Sequence, residues 1–187
     1  MEIENKYRSN GTLDQMTAAT TLTAITFYIL GLLAQVSRKS EEKFSYDKAS
    51  FVLMAIGLIG HGFATFLILK GDQGVNISLL SVTNFGSYLV LVFISLISLR
   101  LPVANLMLIG TPVAIVIVVL ATFLPQESAK QISTESPLLF HIFASVAAYV
   151  ALFMATVQSV LLGLQESKLK TRTGSLGSLV PPLETME

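Results

Sequence analysis

The stretch Ala49–Leu69, ASFVLMAIGLIGHGFATFLIL, decides the fold. It contains no Asp, Glu, Lys or Arg. Coiled as an α-helix it reaches about 30 Å, the thickness of a bilayer's hydrocarbon core. Its one ionisable side chain is His61, set between Gly60 and Gly62.

Four more apolar windows lie on either side of it, at about 16–36, 77–99, 101–124 and 138–164. Together the five predict an all-α protein, a polytopic integral membrane bundle of five transmembrane helices spanning 16–164. The 187-residue chain is 52% hydrophobic and only 13% charged, which is outside the composition of soluble globular domains. Arg100 and its neighbours are the whole turn between the third and fourth helices, predicting a tight antiparallel hairpin. Pro102 suits the first turn of the fourth helix, and Pro112 predicts a kink in its middle. Residues 1–15 read as an outside N-terminal segment. Residues 165–187 read as a cytoplasmic tail, and the chain reads as cut before further helices.

Lys and Arg balance Asp and Glu at 12 each, so bulk charge gives no reason to expect a nucleic-acid partner. With no Cys the chain has no disulfide, no thiolate metal site and no C-x-x-C-H haem attachment motif. The basic residues are unevenly placed. Arg38, Lys39, Lys43, Lys48, Arg100, Lys168, Lys170 and Arg172 fall on one side of the predicted spans, and Lys6, Arg8, Lys70 and Lys130 on the other. The side richer in Lys and Arg faces the cytoplasm, which puts the N-terminus outside and the C-terminus inside.

Two histidines, His61 and His141, are the only ionisable groups within the predicted spans, where such groups are costly and mark function by default. Imidazole is also a common axial ligand of haem iron. His61 lies among Gly57, Gly60, Gly62 and Ala64, small residues that admit a neighbouring backbone or a flat ligand. The competing explanation is tight packing, with the imidazole hydrogen-bonded to a carbonyl or to Asn84. His141 opens a stripe of Ser145, Ala148, Leu152, Thr156, Ser159 and Gly163 on one face of the fifth helix. That face is expected to point into the bundle, with Phe140, Phe143, Val146, Val150 and Phe153 directed elsewhere. By helical rise His141 sits about 5 Å, and His61 about 12 Å, inside the outer ends of their helices. Asn84, Tyr88, Ser95 and Ser98 share a face of the third helix and read as ordinary interhelical glue. The chain carries no phosphate-binding Gly-rich loop, zinc motif, nucleophile elbow or intramembrane acid pair, and reads as no enzyme.

The segment from His141 through Ala148-Tyr149, the Leu164-Gln165-Glu166 stretch and the terminal Pro181-Pro182-Leu183-Glu184-Thr185-Met186-Glu187 resemble the cytochrome c assembly protein family of haem-handling membrane proteins, within it the HemX-type branch. Gly60-His61 and the stretch from Asn76 fit the same pattern. The resemblance implies a larger helical bundle that holds haem b through paired histidines. His61 would match a histidine of the membrane pair and His141 one of the outer pair, each an axial ligand of the iron. The family's Trp-rich haem-binding segment has no counterpart, because the chain contains no Trp. The implied role is holding or passing haem in cytochrome c biogenesis in the bacterial inner membrane, with the bilayer, haem and assembly subunits as partners. A small-solute transporter with His61 as relay, or a non-catalytic membrane regulator of haem synthesis, are the alternatives.

The distribution of Lys and Arg has a direct test. A cysteine introduced at Ser9 is expected to react with a membrane-impermeant thiol reagent in intact cells, on a background free of native Cys. Resistance of that cysteine would reverse the topology.

Overall fold

The computed structural model describes residues 2–37, 48–71, 74–99, 106–125 and 130–170. Among the described residues five helices and two short strands follow one another: α1 (Glu2–Val36), α2 (Lys48–Leu69), β1 (Val75–Ile77), α3 (Leu79–Ser98), α4 (Met107–Phe123), β2 (Lys130–Ile132) and α5 (Pro137–Lys170). Four stretches of the described residues are long and apolar enough to cross a membrane: Gly11–Val36, Lys48–Leu69, Leu79–Ser98 and Pro137–Val160. α4 is a shorter apolar helix that runs through Pro112. The chain is an all-α membrane bundle, as its sequence predicts.

The element ends differ from the sequence reading in instructive ways. The first helix begins well before residue 16, at Glu2. The third begins at Leu79, because Ser78 caps it. Its hydroxyl accepts from the Ser81 backbone N–H at 3.0 Å, while Ser81 Oγ accepts from the Ser78 N–H at 2.8 Å. This reciprocal box satisfies two donors that a helix start would otherwise strand. It releases Ile77 to the strand Val75–Ile77. The fifth helix continues to Lys170. The Arg100–Pro102 turn, most of the basic loop after Ser37, Arg172 and the Pro181–Glu187 segment lie outside the described residues.

α1 and α2 make the most extensive pairing, α3 lies on α4, and α4 closes back on α1. Small residues set the α1–α2 distance. A Cβ on Gly57 would come 2.6 Å from the Tyr28 ring, and one on Gly31 3.0 Å from Met54. Close approach over glycine is how membrane helices gain packing energy, since lipid supplies no hydrophobic drive between them. The core joins Tyr28, Met54, Leu91, Ile94, Met107 and Ala114. Lipid-facing hydroxyls on α1 are satisfied within the helix, Thr23 donating to Ala19 O and Thr26 to Leu22 O.

α5 departs from the sequence reading. It packs chiefly on α3. Its buried face is Leu139, Val150 and Met154, with Phe143 and Val146 partly buried beside them. The stripe expected inside is outside: His141, Ala148, Leu152, Thr156, Ser159 and Gly163 are exposed, and Ser145 is half-buried. The physical reason lies on α3. Gly86 leaves room for Val146 and Val150, and Phe85 meets Phe143 edge-on with ring centroids 4.9 Å apart. An apolar surface selects the apolar face of its partner. Thr156 needs no interhelical partner, because it donates to Leu152 O at 2.8 Å. An apolar cavity of about 570 Å³ opens where α3, α4 and α5 diverge.

The strands pair antiparallel, Val75 with Ile132 and Ile77 with Lys130, tying the α2–α3 connection to the α4–α5 connection. Gly74 makes the turn into β1 at φ +154°, and a Cβ there would sit 2.2 Å from Ile132 O. Gly74→Ala is therefore expected to break the pairing and destabilise the protein by about 1–3 kcal/mol, read as a lowered Tm in detergent. An unchanged Tm would show that the pairing contributes nothing.

Candidate functional site

His61 is fully buried where α2 faces α1 and α3. Both ring nitrogens are engaged. Nδ1 lies 3.2 Å from the Tyr28 hydroxyl of α1 and Nε2 3.1 Å from Asn84 Oδ1 of α3. The direction of each bond follows from the next. Thr65 Oγ1 donates to His61 O at 2.8 Å, so its lone pair accepts from Asn84 Nδ2, also at 2.8 Å. That leaves Asn84 Oδ1 facing the imidazole, an acceptor that needs a proton on Nε2. Nδ1 is then the acceptor of the Tyr28 hydroxyl. The neutral imidazole satisfies this arrangement with no charge in the membrane interior.

Two tyrosine rings enclose the imidazole edge-on, Tyr28 at 5.9 Å and Tyr88 at 5.5 Å between centroids. The glycines beside His61 serve them. A Cβ on Gly62 would meet the Tyr88 hydroxyl at 2.9 Å, as one on Gly57 would meet Tyr28. The small-residue surface that the sequence reading held open for a neighbouring backbone or a flat ligand is occupied by the chain's own aromatic rings. Of the α3 face read as glue, Asn84 and Tyr88 join this cluster, whereas Ser98 donates within its helix to Ile94 O.

Tyr28 is the participant that sequence reasoning missed. Inside an apolar run its ring reads as membrane core. Its signal is the spacing Thr21, Tyr28, Gln35, three side chains seven residues apart and each at most 1% exposed. That period marks the buried seam of α1. Nearer the sheet end of the bundle, the Thr21 hydroxyl meets that of Thr122 on α4 at 2.9 Å.

His141 has the opposite environment. It is exposed in the first turns of α5, next to Phe140 at 79% exposure. The structure does not bring the two histidines together: one is enclosed by α1, α2 and α3, the other stands on the outer face of α5. Among the described residues no group of three or more His, Cys, Asp or Glu side chains is placed to hold a metal ion.

The fold and its buried polar centre define a multi-pass helical membrane protein. The chain is 25% identical over 168 residues to the inner membrane protein YpjD of Escherichia coli (strain K12), a match covering 89% of this chain and 64% of the relative. The YpjD proteins of Escherichia coli O6:H1 and O157:H7 match equally. The chain thus spans under two thirds of the length of the relatives it matches. No protein-family model and no solved structure matches it.

The closed network has an energetic consequence. An interhelical hydrogen bond in a membrane contributes about 0.6 kcal/mol, but a buried donor left without a partner costs about 1–3 kcal/mol. Asn84→Leu is expected to destabilise by the larger amount, because it strands the Nε2 proton. Adding His61→Phe should recover part of the loss in thermal unfolding. Additive losses in the double variant would show that the two side chains act separately.

Proposed function

We propose that this is a haem-handling protein of the bacterial inner membrane, acting in cytochrome c biogenesis by holding or passing haem rather than by catalysis. The single observation that carries the reading is His141, an exposed imidazole near the outer end of an apolar membrane helix, where a metal-ligating side chain stands open to a ligand. The family resemblance around His141 and the similarity to a protein described as an inner membrane protein support it.

The residues present fit haem b in part. His141 offers an open nitrogen, and the surrounding apolar surface of α5, with Phe140 and Leu138 exposed, suits a flat greasy ring. Bound there, haem would be held through the His141 imidazole and would supply a redox-active iron for delivery to a cytochrome. His61 could hold iron only if Tyr28 or Asn84 first lets go of its ring. In the arrangement described here His61 fixes three helices.

A second reading, a non-catalytic membrane regulator of haem synthesis or assembly complexes, is favoured by the same closed network, which leaves His61 no free nitrogen. Haem titration separates the two. The purified chain is expected to give a Soret band with hemin. His141→Ala should weaken haem binding at least about tenfold and exogenous imidazole should restore it, while Ser145→Ala and Thr156→Ala have little effect. A Soret band indifferent to His141→Ala, or no band at all, would favour the regulator.

A further inference from the structure

At the end of the bundle that carries the two-stranded sheet, a cleft of about 750 Å³ opens between α1, the end of α2 and the end of α4. Its lining is chemically divided. Leu67, Ile68, Phe123 and Leu124 form an apolar wall, and Asp14, Lys70 and Asn76 lie in the same cleft. Asp14 and Lys70 are exposed and carry opposite charges, yet among the described residues no ion pair joins them. The Asn76 side-chain amide likewise makes no hydrogen bond among the described residues, only its backbone carbonyl being used, by Ser81. The cleft also lies at the edge of the membrane. Lys70 directly follows the last residue of the span Lys48–Leu69, and Asp14 lies near the start of the span Gly11–Val36.

We propose that this cleft binds one zwitterionic phospholipid, with its phosphate on Lys70, its ammonium on Asp14 and an acyl chain along Leu67, Phe123 and Leu124. A ligand bearing both signs matches a cleft bearing both signs, and it places a charge-assisted hydrogen bond at each. Asn76 adds an amide able to donate to a phosphate or ester oxygen. Leu67 and Ile68 of the wall belong to the span Lys48–Leu69, so a ligand with a hydrocarbon tail as well as a head group matches the cleft. The volume suits a ligand larger than a free amino acid. The site is built from α1, the ends of α2 and α4, Lys70 after α2 and Asn76 of β1, whereas His141 is on α5, so it stands or falls apart from the haem reading.

The test is native mass spectrometry of the detergent-purified full chain titrated with palmitoyl-oleoyl-phosphatidylethanolamine. One comparison uses phosphatidylglycerol, which lacks the ammonium, and another uses glycerophosphoethanolamine, which lacks the tails. One phosphatidylethanolamine is expected to be retained, with phosphatidylglycerol at least about tenfold weaker. Lys70→Ala should weaken both lipids. Asp14→Ala should weaken phosphatidylethanolamine alone. Both side chains are exposed, so the variants are expected to keep the parental Tm. Equal binding of the two lipids, or indifference to both substitutions, would overturn the proposal. Binding of the tail-free head group as tight as that of the lipid would overturn the lipid assignment and make this a site for a soluble zwitterion.

Discussion

The neutral imidazole of His61 is the constraint around which the rest of the bundle is arranged. A membrane interior offers no water to a buried donor or acceptor, so every polar atom of that ring must find its partner in protein. One partner comes from α1, another from α3, and Thr65 on the ring's own helix orients the second through Asn84. Three helices are thereby fixed in rotation by one side chain. Apolar packing alone resists helix rotation weakly in lipid, where one greasy face is nearly as good as another.

The glycines around His61 belong to the same solution. Gly57 and Gly62 are the positions where Tyr28 and Tyr88 come closest. Bulkier residues would push the rings away and open the network to strain. Thr21–Thr122 repeats the principle with hydroxyls, joining α1 to α4. Polar contacts thus hold the α1–α4 part of the bundle, while α5 is held by apolar contact with α3.

Much of this was legible in sequence and some was not, for definite reasons. Apolar length located all five helices, and the packing explanation for His61 named Asn84 beside a backbone carbonyl as its two candidate partners, of which the structure shows Asn84. Tyr28 was hidden because an aromatic ring in an apolar run carries no local sign of its hydroxyl's partner. The strands were hidden because three-residue segments such as Val75–Ile77 are too short to show alternation. The orientation of α5 was misjudged by a rule that presumes polar faces turn inward. That rule loses its force when Thr156 can satisfy itself on its own helix, and when the surface offered by α3 is Gly86 and Phe85.

The small sheet has a consequence for depth in the membrane. It clasps the connection entering α3 to the one leaving α4, so the chain from Val75 to Ile132 forms a closed ring of two helices. Strand pairing comes in steps of about 3.3 Å, and a slip of one residue turns every side chain to the opposite face. Helices in lipid can otherwise slide along their axes with little penalty, because one level of hydrocarbon resembles the next. Here a vertical slip of α3 against α4 has to break the clasp. Six residues at the bundle's rim therefore work as a depth gauge, holding α3 level with α4.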